Sequence, residues 1–178
     1  MRTHRSWQRC IRVLVAFAAT AAVSTPLHAA ALGEKAPKLT IAKWAKGGPV
    51  DLLENEKGLI RVIDFWSTWA SPCRTTIPHI TELQNKYAAK GVQFIGVSDE
   101  PPGTVEKFVE RMGSRMDYTV GADADGATTF AYLTAFRVRS IPHTFVLDKQ
   151  SRIVWHGHPM GELEAVIKGV LDGTWDVN

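Results

Sequence analysis

Cysteine is nearly absent from this sequence. The 178 residues contain two, Cys10 and Cys73, and Cys10 lies in an N-terminal segment that has the features of a cleaved signal peptide. The exported chain would then keep Cys73 alone, which excludes an intramolecular disulfide. A single thiol in an exported protein predicts either pairing with another molecule or a free reactive group.

An excess of charge of one sign is also lacking once this segment is set aside. The formal net charge is +3, yet four of the 21 basic residues and none of the 18 acidic residues lie in residues 1–30. The remaining chain carries 17 basic residues against 18 acidic ones. The composition therefore predicts no nucleic-acid partner.

Residues 1–30 contain an arginine-rich start, an apolar run over 13–23 and a small-residue cleavage site over 27–30. This order predicts a secretory signal peptide, because the run is too short to span a bilayer comfortably. An uncleaved anchor is the alternative, and it would be the only contact with a membrane. We expect a periplasmic or otherwise exported protein with one folded domain over 31–178, a length that suits a single core.

The mature chain alternates between buried-strand and helical patterns. Internal repeats and low-complexity segments are lacking in the sequence. The predicted strands cover 39–44, 59–66, 92–97, 118–120, 144–147 and 152–156. The predicted helices begin at 71, 104, 127 and 161 and end near 91, 112, 136 and 171. Ser71 and Pro72 mark the first helix start, since proline is tolerated in a first turn, and Gly91 marks its end.

The segment 64–74 reads Asp-Phe-Trp-Ser-Thr-Trp-Ala-Ser-Pro-Cys-Arg. It resembles the active-site segment of the TlpA/ResA-like exported redoxins, which belong to the thiol-disulfide oxidoreductases and usually read Trp-Cys-x-x-Cys. The second cysteine of that motif is present as Cys73, whereas Ala70 stands at the first. Ala70 fits either a natural chain that lost its nucleophile or a laboratory substitution of a Cys-Ser-Pro-Cys enzyme.

The resemblance covers 31–178 and implies an α/β thioredoxin-like fold, with a central mixed sheet flanked by helices. It further implies an N-terminal extension and an inserted strand-helix segment over about 98–136. The partners that it implies are protein thiols or disulfides, or extended polypeptide segments. It implies no cofactor.

Thiol-disulfide exchange begins when a thiolate attacks a sulfur, and the methyl group of Ala70 cannot do this. Cys73 is expected in the first turn of a helix, where the helix dipole favours an anion. We therefore expect a Cys73 pKa between about 6 and 9 and a sulfur left more accessible by the small Ala70. The alternative is a buried, inert thiol.

Asp64 matches the buried acid that thioredoxins place beneath the second cysteine, and in the family this acid moves the proton of that cysteine. A solvent-facing aspartate is the alternative. Ile141 and Pro142 resemble the cis-proline segment that faces the active site and pairs with an extended substrate chain. Trp69, with Ser71 and Pro72, is expected to complete the substrate-binding surface. Trp66 is expected in the core.

Three functions other than redox exchange are alternatives for this sequence. A non-redox module could bind extended polypeptide at the Pro142 edge. A peroxiredoxin-like peroxidase could use Cys73, although such enzymes need Thr or Ser where Ala70 stands. Copper binding could use the histidines, with His156 and His158 sharing one strand face. A single cysteine makes the copper site the weakest of these, and we predict no metal.

Overall fold

The computed structural model of the protein describes residues 31–55 and 58–177. The predicted signal peptide and Cys10 lie outside the described residues, so the proposed cleavage stays a prediction.

Six strands form one mixed sheet in the order β1-β4-β3-β2-β5-β6. The pairs β2–β3 and β3–β4 are parallel, and the pairs β1–β4, β2–β5 and β5–β6 are antiparallel. The strands are β1 Ile41–Lys46, β2 Ile60–Phe65, β3 Val92–Ser98, β4 Thr119–Asp123, β5 His143–Leu147 and β6 Ile153–Gly157. The predicted α/β class and mixed sheet are confirmed.

The helices follow the predicted order. They are α1 Ser71–Tyr87, α2 Pro102–Met112, α3 Ala127–Thr129 with its π-helical continuation Phe130–Thr134, and α4 Leu163–Asp172. After α1 a short 3₁₀ turn leads to Gly91, whose φ of 83° is the left-handed conformation that glycine adopts readily. In the part of the chain that the structure describes, no helix is both long and apolar enough to cross a membrane.

Two hydrophobic clusters lie on opposite faces of the sheet. One packs α1, α2 and α4 against residues such as Val62 and Trp66, and the other packs α3 against Ile63 and Phe65. The strand β2 is buried at every position because it lies in the middle of a sheet with both faces covered. Successive residues at its end therefore place their side chains in different cores.

Candidate functional site

The candidate site lies where β2 ends and α1 begins. The five residues of loop 66–70 join Phe65 to Ser71. The antiparallel partner strand β5 begins with His143 opposite Phe65, so Ile141 and Pro142 lie beside this loop. The Ile141–Pro142 peptide bond is cis. The fold thus brings the Cys73 segment and the Pro142 segment together.

Cys73 is the third residue of α1 and is fully buried. Burial is the main reason that its pKa rises to about 11, and the negative charges of Asp64 and Glu100 add to the rise. Hydrogen bonds from the backbone of Ser67 and of Cys73 itself lower the pKa, but by less than burial raises it. The prediction of a pKa between about 6 and 9 is therefore wrong, because desolvation of the thiolate outweighs the helix start.

Ala70 does not leave the Cys73 sulfur accessible, so this prediction is also wrong. Ala70 is itself buried and belongs to the same hydrophobic cluster as Cys73. Its carbonyl accepts a hydrogen bond from the Cys73 backbone N–H at 3.0 Å. The 66–70 loop covers the Cys73 thiol, and the structure matches the alternative of a buried thiol.

Asp64 is fully buried, so the solvent-facing alternative is wrong. One carboxyl oxygen, Oδ1, accepts a hydrogen bond from Thr144 Oγ1 at 2.8 Å. The other, Oδ2, has no hydrogen-bond partner among the described residues. Burial raises the pKa of Asp64 to about 7, and the Thr144 bond offsets part of this rise. Asp64 can therefore gain or lose a proton near neutral pH.

Glu100 holds the site loop in place, a role that no sequence motif indicates. Its carboxylate accepts hydrogen bonds from the Thr68 backbone N–H and from Thr68 Oγ1, both at 2.6 Å. Ser98 Oγ donates to the same carboxylate at 3.2 Å. The sequence shows only an acidic, proline-containing loop here, because a bond between residues 32 positions apart leaves no local pattern.

A groove of about 310 Å³ runs beside the loop. Trp69 and Ile141 line it, together with Leu133, Val138 and Arg139, and the role of the first two in substrate binding stays a prediction. Trp69 is 72% exposed, although it is a large apolar side chain. An exposed aromatic side chain that lines a groove offers apolar surface to a ligand.

The other three predicted binding residues do not line this groove. Ser71 and Pro72 are exposed at the start of α1, and Pro142 is buried. Pro142 therefore shapes the backbone beside the groove and offers no side-chain surface to it. Trp66 is 1% exposed and lies in the core, as predicted.

Comparison with known proteins places this geometry in a family. Residues 32–156 match the AhpC/TSA family. The chain belongs to the AhpC/TSA family. It is similar to the thiol-disulfide oxidoreductase ResA of Geobacillus kaustophilus, with 30% identity over 148 residues, covering 83% of this chain and 75% of that protein.

Solved structures show the same fold. A Chlorobium tepidum protein provisionally assigned as the thiol:disulfide interchange protein DsbE has 28% identity and a TM-score of 0.67, covering 79% of this chain and 97% of its own. The thioredoxin domain of a Bacteroides vulgatus thiol-disulfide oxidoreductase has 26% identity and a TM-score of 0.66, covering 79% and 99%. The thioredoxin-like fold that the sequence resemblance implied is therefore confirmed.

His143 and His156 contact each other, whereas the sequence suggested His156 and His158 as the pair. His143 Nε2 lies 2.9 Å from His156 Nδ1, and Phe136 and Phe145 contact the His156 ring. Burial, with smaller contributions from His156 and His158, lowers the pKa of His143 to about 4. Among the residues that the structure describes, no group of three or more metal-binding side chains occurs.

Proposed function

We propose that this protein is an exported thioredoxin-like redoxin that acts on protein thiols or disulfides through Cys73. The observation that carries the proposal is the position of Cys73 itself. The thiol lies at the start of α1, next to a buried carboxyl group that titrates near neutral pH and near a groove with an exposed tryptophan. Relatives with the same fold are named as thiol-disulfide oxidoreductases.

The proposed chemistry is formation of a mixed disulfide by a single thiol. Cys73 loses its proton, and the resulting thiolate attacks one sulfur of a partner's disulfide. A new S–S bond joins Cys73 to the partner, the old S–S bond breaks, and the released partner thiolate takes up a proton. Asp64 is the proposed acceptor of the Cys73 proton. The reaction stops at this stage, because Ala70 offers no second thiol to release the partner.

Burial of Cys73 restricts this reaction. A thiol with a pKa of about 11 is almost entirely protonated at neutral pH, and the thiolate is the nucleophile. We therefore propose that exchange requires the 66–70 loop to move, and that a bound polypeptide in the groove favours this movement. An extended segment pairing with the backbone beside Pro142 would bring its sulfur to the loop.

Peroxidase activity and copper binding are not favoured. A peroxidase of the peroxiredoxin type would need a hydroxyl group at position 70, where alanine stands. Copper binding would need ligands around Cys73, yet His143 and His156 bond to each other on the opposite face of the sheet. A binding module without redox chemistry is the outcome expected if Cys73 proves unreactive.

Restoring the missing thiol tests the proposal. The parent chain should show no turnover in insulin reduction with dithiothreitol, whereas Ala70→Cys should form an intramolecular disulfide and acquire turnover. In a Cys10→Ser background, which leaves Cys73 as the only thiol, the chain should form a mixed disulfide with an excess of a cysteine-containing peptide disulfide, and adding Cys73→Ser should abolish this product. Mass spectrometry of the intact protein detects both the intramolecular disulfide and the mixed disulfide. A parent that forms no adduct until it is denatured would contradict the proposal.

A further inference from the structure

Three buried polar atoms without hydrogen-bond partners in the described structure lie on the Cys73 face of the sheet. They are Asp64 Oδ2, Trp66 Nε1 and the Tyr118 hydroxyl oxygen. Trp66, Tyr118 and Cys73 belong to the same hydrophobic cluster. Buried polar groups almost always have partners, since an unsatisfied one loses its hydration without compensation. Each of these three groups therefore needs a partner that the described residues do not supply, such as a buried water.

Gly96 is what allows these groups to meet. It lies on β3 directly opposite Asp64 in the parallel register, so both residues face the same side of the sheet. A Cβ at Gly96 would lie 2.9 Å from Tyr118 Cε2 and 3.0 Å from Trp66 Nε1. Any side chain at Gly96 would therefore occupy the space where the tyrosine ring and the indole N–H come together beside Asp64.

The donors and the acceptor in this group are complementary. At neutral pH the indole N–H and the tyrosine O–H are donors, while ionised Asp64 offers an acceptor. The pKa of Tyr118 is raised well above its usual value by burial and by the charges of Asp64 and Cys73, so its hydroxyl keeps its proton. The titratable groups facing this space are Cys73 from α1 and Tyr118 from the segment before β4, and Glu100 acts on the thiol from beyond β3.

Resting on the proposed function, we propose that Tyr118 is a positioning residue for proton transfer from Cys73. Tyr118 and Trp66 hold one internal water against Asp64, and this water stabilises the carboxylate whenever Asp64 is ionised and ready to accept the thiol proton. A single water can bond to both donors and to the free carboxyl oxygen, since buried waters typically make about three hydrogen bonds. The proton moves from Cys73 Sγ to Asp64, and the electron pair stays on sulfur.

The variant Tyr118→Phe tests this role, because it removes the hydroxyl and keeps the ring that packs over Gly96. The Tyr118 hydroxyl helps to stabilise the ionised carboxylate, so its removal should raise the pKa of Asp64 by on the order of one unit. Carboxyl ¹³C NMR of Asp64 across pH measures this shift directly. The matched control is Tyr132→Phe, a buried tyrosine of the opposite face whose hydroxyl donates to the Pro37 carbonyl. It should leave the Asp64 titration unchanged.

A second measurement uses the Cys73→Ser background, in which the thiol cannot titrate with Asp64. The Tyr118→Phe shift should persist there. An Asp64 midpoint that does not move in Tyr118→Phe overturns the inference, even if Cys73 forms mixed disulfides. A midpoint that moves as expected supports the inference, and failure of Cys73 to react in the same preparation would count against the proposed function alone.

Discussion

Two neighbouring residues of β5 serve opposite faces of the sheet. Thr144 bonds to Asp64 on the face that carries Cys73, whereas His143 bonds to His156 on the other face. Both faces thus bury titratable groups beside the same strand pair. Burial favours the neutral form in each case, so it raises the pKa of the acid and lowers the pKa of the base.

The buried acid and the histidine pair differ in the hydrogen bonds that they receive from other protein groups. On the histidine face, one nitrogen of each imidazole bonds to the other ring, and Phe136 and Phe145 contact the pair. On the Cys73 face, one oxygen of Asp64 has no protein partner among the described residues. A pair that satisfies itself stabilises the fold, whereas a half-satisfied acid beside a thiol is costly and is typical of chemical sites. Stability should therefore respond to pH in opposite directions when the acid and the histidine are replaced.

Replacing the buried acid should have the largest effect on stability. Because the folded Asp64 pKa of about 7 lies above the unfolded value of 3.8, the native state binds more protons between these values, and stability falls as pH rises through them. Asp64→Asn should abolish this decline. It should raise the free energy of unfolding at pH 8 by up to about 4 kcal/mol and leave the free energy of unfolding at pH 4 nearly unchanged.

Urea unfolding at pH 4, 6 and 8 measures this effect. The control is Asp123→Asn, since Asp123 is also buried and both of its oxygens accept backbone hydrogen bonds, from Thr128 and Thr129. That change should destabilise the protein at pH 8 by about 1–3 kcal/mol. An Asp64→Asn protein that is less stable than the parent at pH 8 would contradict the raised pKa of Asp64.

The histidine face should respond in the opposite direction. The folded pKa of His143, about 4, lies below its ordinary 6.5, so the unfolded chain takes up the proton first, and stability falls as pH drops from 6.5 towards 4. His143→Gln should remove about 2 kcal/mol of this acid-induced loss, a value reduced for the partial exposure of the ring. Thermal unfolding at pH 7 and pH 5 measures the difference, with His79→Gln as the control that should behave like the parent.

Releasing the site loop should have a smaller effect on stability and a clear one on reactivity. Glu100→Gln removes the charge that holds Thr68 and that raises the Cys73 pKa. It should cost about 1–2 kcal/mol and speed the alkylation of Cys73 by iodoacetamide at pH 8. The control is Glu106→Gln, because Glu106 pairs with Lys43 on an exposed part of the surface. Equal alkylation rates in the two variants would argue against the proposed role of Glu100.

The smallest effect on stability is expected at the groove. Trp69 is 72% exposed, so Trp69→Ala should change the free energy of unfolding by less than about 0.5 kcal/mol. The same change should slow mixed-disulfide formation with a cysteine-containing peptide disulfide and leave the reaction with a small disulfide unaffected. Parallel rate measurements with the two reagents check this. Equal slowing with both would mean that Trp69 acts on the loop and does not bind the peptide.

Local patterns were sufficient to predict most of the fold. The apolar run of β2, the Ser71 start of α1 and the Gly91 end of its turn are each encoded within a few residues, and all three lie where they were predicted. The strand ends were less accurate. The first strand is Ile41–Lys46 and the fourth is Thr119–Asp123, whereas 39–44 and 118–120 were predicted. Their limits are set by pairing with each other, which no single segment shows.

The sequence by itself determined which groups are available: one thiol after residue 30, an acid at the end of a central strand, and alanine where a first cysteine would stand. Only the tertiary structure decided how these groups behave. The accessibility of Cys73 depends on how the 66–70 loop packs, and that packing depends on Glu100. The pKa of Asp64 depends on Thr144 and on the surrounding core. Desolvation and hydrogen bonding act through space between distant segments, so a pattern of neighbouring residues could predict the presence of the site but not its protonation state.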